Sequence, residues 1–123
     1  MSPRTGKEFT MEQKMNKLQD QGCRCASCGR TLDPRNHGGP GQGLKWDAHH
    51  RHPIEDGGTG SSRNCVILCK DCHGAIHDIM RLNSRITFDT ADQIWAYARK
   101  LMHTRRLPYD KAILWVMWDA GYI

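Results

Sequence analysis

Two Cys-x-x-Cys pairs, Cys25 with Cys28 and Cys69 with Cys72, constrain this chain more than any other feature. Each pair puts two thiols on one tight turn, which is half of a tetrahedral zinc site. One pair is a weak signal, but two in a chain of 123 residues with 6 cysteines and 7 histidines point to a single four-thiolate site. Four thiolates leave no open coordination position, so the work of that zinc ion is structural. The 40 residues between Cys28 and Cys69 exceed what a minimal zinc ribbon needs, and a second functional element is expected there. Two other readings exist. Thiols in a small core behave as hydrophobes, and Cys69-Lys-Asp-Cys72-His73 matches the haem-attachment pattern C-x-x-C-H. Haem attachment belongs to exported proteins, whereas Met1 to Thr10 are polar and lack the apolar region of a signal peptide. Cys23 and Cys65 fall outside the pairs and read as buried free thiols, with either able to substitute as a ligand.

The composition explains why such a staple is needed. Only 38% of residues are hydrophobic and the mean hydropathy is −0.68, so the apolar core is small. The length suits one domain, with an N-terminal helix in 1–22, a zinc-stapled core in 23–82 and a helical tail in 83–123. No apolar run approaches the ~20 residues that span a bilayer, which argues against a membrane partner. Thiols that bind metal rather than pair as disulfides belong in a reducing compartment, and the cytoplasm is the expected location. A net charge of +5 with a pI near 9.0 suits a polyanionic partner, since Lys and Arg neutralise phosphates.

Local signals divide the chain further. Thr10 and Gln13 form a capping box ahead of Met11, Met15 and Leu18, with Gly22 as the helix stop. Residues 33–43 are rich in Pro, Asn and Gly and read as an exposed loop. Residues 44–50 and 65–68 are strand candidates, separated by a second irregular stretch at 53–62. Ile76, Ile79, Met80 and Leu82 keep a helical spacing over 71–83. Asp89 or Thr90 is placed to cap a further helix with Ile94, Trp95, Ala98, Leu101 and Met102 on its apolar face. Pro108 in a first turn and Gly121 near the end bracket the last helix.

Between and just after the cysteine pairs lie His49-His50-Arg51-His52-Pro53, then Gly57-Gly58, Asn64 and His73-x-x-x-His77. Residues four apart share a helix face, so His73 and His77 can address one metal ion. In order, these elements resemble the HNH endonucleases, whose core is a ββα-metal finger. A His precedes a Pro-x-x-x-Gly-Gly loop, an Asn opens the second strand, and a His stands at the helix start. Flanking C-x-x-C pairs recur in many members. The double histidine and H-x-x-x-H are most similar to the colicin-type DNase branch, which lacks the zinc knuckles. The resemblance covers roughly Cys25 to His77.

The resemblance implies a small α+β fold, a ββα-metal core with zinc knuckles and flanking helices. It implies His50 as general base, His49 and His73 as ligands of a catalytic divalent ion, and His77 as a third ligand found in some members. Asn64 matches the residue that pins the loop between the strands, and Asp47 is placed to orient an arginine or the metal shell. The implied reaction is DNA phosphodiester hydrolysis leaving a 5′-phosphate and a 3′-hydroxyl. Physical chemistry agrees with these roles. Neutral imidazole titrates near physiological pH and suits water activation, while a divalent ion serves as Lewis acid for the phosphorus oxygens and the leaving oxygen. Three imidazoles favour Zn, Ni, Co or Mn; two imidazoles with water leave Mg or Mn workable. Arg51 and Arg63 are close enough in sequence to hold phosphates. One geometric difficulty accompanies this reading. In a regular strand His49 and His50 face opposite sides, so both reach one phosphate only if the strand bends or ends there. His52 reads as structural or substrate-contacting, and His37 and His103 as bland.

Ile113-Leu114-Trp115-Val116-Met117-Trp118 is apolar all round a helix, which implies burial on several sides. The tail is expected to enlarge the core, with a dimer interface as the main alternative. Lys100, Arg105, Arg106 and Lys111 flank a turn, but not at a distinctive helix-turn-helix spacing. Function is expected to be that of a phage or mobile-element DNA endonuclease, with a partner protein if it serves packaging or homing. The alternative is a non-catalytic zinc-bound nucleic-acid-binding module, which would have no need of His50 or Asn64.

Overall fold

The computed structural model describes residues 8–35, 45–52 and 58–123. Among the described residues the fold is α+β, with four α-helices and one small two-stranded sheet in the order α1 (Met11–Asp20), β1 (Trp46–His50), β2 (Cys65–Cys69), α2 (Lys70–Leu82), α3 (Phe88–Thr104) and α4 (Tyr109–Asp119). The expected loop at 33–43, the start of the first strand at Leu44 and the segment from Pro53 to Gly57 lie wholly or largely outside the described residues. His37 is outside them as well.

The chain divides into two compact units, 1–73 and 74–123, with the boundary inside α2. In the first unit, α1 begins at the capping box. The Thr10 hydroxyl accepts from the Gln13 N–H at 3.1 Å, and the Gln13 Oε1 accepts from the Thr10 N–H at 2.8 Å. The helix ends where Gly22 takes a φ of 66°. There the Gly22 N–H reaches the Gln19 carbonyl and the Cys23 N–H reaches the Leu18 carbonyl, the paired bonds that satisfy a helix C-terminus. Cys23 also has a positive φ, 56°, and is half-buried rather than buried as expected. It continues the left-handed turn that closes α1.

β1 and β2 pair antiparallel, with Trp46 opposite Cys69 and His50 opposite Cys65. Every β2 residue is buried. The β2 edge away from β1 is closed by a side chain. The Gln21 Nε2 donates to the Ile67 carbonyl at 3.0 Å and its Oε1 accepts from the Ile67 N–H at 3.0 Å. The Ala26 N–H donates to the same carbonyl. Buried backbone groups that a third strand would pair are thus satisfied without one. Leu18, Leu32, Trp46, Ile67 and Leu68 form the centre of this unit, none more than 2% exposed. The Trp46 indole N–H finds the Asp33 carbonyl at 2.7 Å, which lets a large ring be buried without an orphaned donor.

In the second unit, α3 starts two or three residues earlier than its sequence signals suggest. Its N-cap is Thr87, whose hydroxyl accepts from the Thr90 N–H, and not Asp89 or Thr90. The earlier start puts Phe88 in the first turn, where it is buried. Ile94, Trp95 and Ala98 are buried as the helical spacing requires. Pro108 stands at the N-cap of α4 rather than inside its first turn. The all-round apolar α4 is covered on one face only. Ala112, Ile113, Val116 and Met117 are buried, whereas Trp115 and Trp118 are 51% and 67% exposed.

Candidate functional site

The first cluster of chemistry-bearing residues is the set of four cysteines. The first knuckle is a turn closed by the Cys25 N–H on the Arg30 carbonyl and the Gly29 N–H on the Cys25 carbonyl. Gly29 takes a φ of 78°, a conformation that costs a residue with a Cβ. The second knuckle is the junction of β2 and α2, where the Cys72 N–H points at the Cys69 sulfur from 3.4 Å. The Sγ atoms of Cys25, Cys28, Cys69 and Cys72 all lie within 4.8 Å of one another. Those of Cys28 and Cys69 are 3.8 Å apart. A tetrahedron with Zn–S bonds of about 2.3 Å has edges of about 3.8 Å, so the four thiols fit a zinc ion. Hydrogen bonds from Cys69 and Cys72 lower the Cys25 thiol far below its ordinary pKa, and the bond to Cys25 raises that of Cys69. The cluster therefore favours a thiolate, the form that binds metal. Cys65 lies outside it, buried, with burial raising its pKa.

The second cluster is built on β1 and the start of α2. Side chains alternate along a strand, so Asp47 and His49 share one face and Trp46, Ala48 and His50 the other. His49 is 7% exposed. Its ring meets that of His73 edge-on, with centroids 5.6 Å apart, and ligand nitrogens of the two lie within 4.8 Å. Two imidazoles converging in this way are a donor pair suited to a divalent transition ion. The Asp47 Oδ2 is 3.7 Å from the His73 Nδ1, too long for a hydrogen bond but close enough to bias the ring. His77 follows one turn later on the same helix and is solvent-accessible. Partial desolvation by the groups packed around this otherwise exposed ring, then the charge of Arg81, lower its pKa, which favours the neutral, ligating imidazole.

His50 occupies the opposite face of β1, and the strand ends there. Its ring lies against that of Phe9, with centroids 4.0 Å apart and planes within 17° of parallel. Sequence spacing did not single out Phe9. A signal was available, since an apolar residue just before an N-cap normally packs on the fourth helical residue. Here that residue is Lys14.

Asn64 closes the far side of the strand end. Its Oδ1 accepts from the His52 N–H at 2.8 Å, and its Nδ2 donates to the His52 and Thr59 carbonyls at 3.0 and 2.8 Å. The Arg51 N–H adds a bond to the Asn64 carbonyl at 2.9 Å. These three side-chain bonds tie Asn64 to the backbone at His52 and at Thr59. A cleft of about 230 Å³ opens beside it, lined by His52, Thr59, Ser61, Arg63 and Asn64. Arg51 and Arg63 are both exposed, with Arg63 on the cleft wall. His103 is exposed near the end of α3, away from these groups in sequence.

The segment that carries both clusters is also the one that matches known proteins. Residues 25–78 match the sequence profile of the family described as "HNH endonuclease", so the HNH resemblance holds over that segment. A relative from Escherichia coli (strain K12), "Type IV methyl-directed restriction enzyme EcoKMcrA", is 35% identical over 54 residues. The aligned segment is 43% of this chain and 18% of that protein. No solved structure matches significantly. Among the described residues, no helix is long and apolar enough to cross a membrane.

Proposed function

We propose that this chain is a DNA endonuclease that hydrolyses phosphodiester bonds at the end of β1, using a divalent metal ion held by His49, His73 and His77. The observation that carries this reading is the convergence of the His49 and His73 nitrogens within 4.8 Å beside the strand end that bears His50. The match to the HNH endonuclease profile and the likeness to a restriction enzyme of E. coli support the same reaction class.

In this reading His50 is the general base. Its imidazole takes a proton from the attacking water, the ordinary task of a histidine in general acid–base catalysis. The end of β1 at His50 addresses the problem of adjacent histidines on opposite faces, because a phosphate placed at a strand terminus can be approached from both sides. Asn64 keeps the base in place by fixing the turn at Arg51 and His52. Asp47, 3.7 Å from the His73 Nδ1, would help to orient that ring for an ion held by the histidines. When bound, the ion supplies Lewis-acid stabilisation of the phosphorus oxygens and of the leaving 3′-oxygen. A site rich in imidazole suits Mn, Ni, Co or Zn, and fewer nitrogen ligands suit Mg. Arg51 and Arg63 contact flanking phosphates. A structural zinc ion on Cys25, Cys28, Cys69 and Cys72 would tie the β2–α2 junction to the first knuckle.

The test is product chemistry on supercoiled plasmid with each metal in turn and with EDTA. The expected result is metal-dependent nicks that DNA ligase reseals, since sealing requires a 5′-phosphate beside a 3′-hydroxyl. Failure to cut with any ion, from folded and zinc-loaded protein that still binds DNA, would favour the non-catalytic binding module.

A further inference from the structure

We propose that the segment Phe9–Gln13, which precedes the matched HNH region, positions the general base; this inference rests on the nuclease reading above. Two contacts define it. The ring of Phe9 stacks on that of His50 with centroids 4.0 Å apart and 17° between planes. The Nε2 of Gln13 donates to the Gly60 carbonyl at 3.0 Å, across 47 residues of sequence.

A parallel stack opposes rotation of the imidazole out of its plane, and the ring of Phe9 covers a face of the imidazole rather than its nitrogen-bearing edge. Phe9 is only 8% exposed, so its own ring is fixed by its surroundings. Its usual partner in a hydrophobic staple would be the fourth residue of α1, which is Lys14, and the ring is instead applied to the strand. Gln13 ties this segment to the other side of the site. The same amide that completes the α1 capping box reaches Gly60, one residue from the Thr59 carbonyl held by Asn64. The base thus sits on a wall fastened to the loop that Asn64 pins. Phe9 and Gln13 do not reach the reacting atoms, and are positioning residues.

The experiment compares wild type with Phe9→Leu, Phe9→Tyr and Gln13→Glu, the last of which keeps the capping acceptor but removes the donor to Gly60. Zinc content and melting temperature are checked for each. The proton NMR signals of the His50 ring, assigned by comparison with His50→Ala, report the stack through the ring current of Phe9. The expected signals lie upfield in wild type and Phe9→Tyr and move downfield in Phe9→Leu. With plasmid substrate, kcat is expected to fall on the order of ten- to a hundredfold in Phe9→Leu, with KM little changed and Phe9→Tyr near wild type. Gln13→Glu is expected to lower kcat severalfold. Unshifted His50 signals in Phe9→Leu, or full cleavage by a zinc-loaded Phe9→Leu protein, would overturn the proposal. So would loss of kcat in Phe9→Tyr equal to that in Phe9→Leu. An inert wild type overturns the nuclease reading itself, and the positioning role with it; the two failures are told apart because failure of positioning alone leaves wild type active.

Discussion

The sulfur atoms of Cys28 and Cys69, 41 residues apart in sequence, lie 3.8 Å from each other, the edge length of a zinc–thiolate tetrahedron. That spacing suits a structural zinc ion on the four cysteines. Structural zinc contributes roughly 10–16 kcal/mol of apparent binding free energy in small zinc domains. One zinc per chain is expected by elemental analysis. Cys69→Ala, or strong chelation, is expected to lower the melting temperature by about 10 °C or more, while Cys23→Ser leaves zinc content unchanged.

Asn64 provides a second expectation. Asn64→Asp keeps the shape but removes the two Nδ2 donations and sets a carboxylate against the His52 and Thr59 carbonyls. Cleavage is expected to fall by about a hundredfold, with a loss of stability of roughly 1–3 kcal/mol. Nicking rates and urea titrations measure the two effects separately.

Asp47→Asn tests the orientation of His73. The carboxylate stands 3.7 Å from the Nδ1 of that ring. Removing its charge is expected to weaken metal affinity about 10- to 100-fold, read as a shift in the metal concentration that supports half-maximal cleavage. Saturating metal should restore most of the rate.

His77 carries a pH dependence. Burial first, then Arg81, lowers its pKa below the usual 6.5, with Asp78 opposing. The unfolded chain therefore takes up this proton before the folded one does. Stability from this group is present above about pH 6.5 and is lost as pH falls through the lowered folded value. Melting temperature between about pH 7 and pH 5, without added catalytic metal, is expected to fall more steeply in wild type than in His77→Gln. Equal slopes would contradict the assignment.

Much of this arrangement was legible because its signals are local. The capping box at Thr10 and Gln13, the αL stop at Gly22 and the cysteine pairs each depend on residues a few positions apart, and each forms as read. The ββα order was legible from an ordered motif rather than from periodicity. What was not legible depends on long-range pairing. Gln21 seals Ile67 across 46 residues, and Phe9 meets His50 across the fold. Neither leaves a periodic trace. The cap of α3 was misplaced because Asp89 and Thr90 are good capping types, whereas burial of Phe88 decides for Thr87. In α4, composition alone could not tell which face is covered, and Leu114, Trp115 and Trp118 are exposed.

The central claim is that His50 activates water for DNA hydrolysis, and the most direct measurement is the metal-dependent nicking rate of His50→Ala beside wild type. Both proteins should be zinc-loaded and share one melting temperature. The account predicts active wild type and a rate lower by about a hundredfold or more in the variant. Equal rates, or equal inertness with every divalent ion, would contradict it.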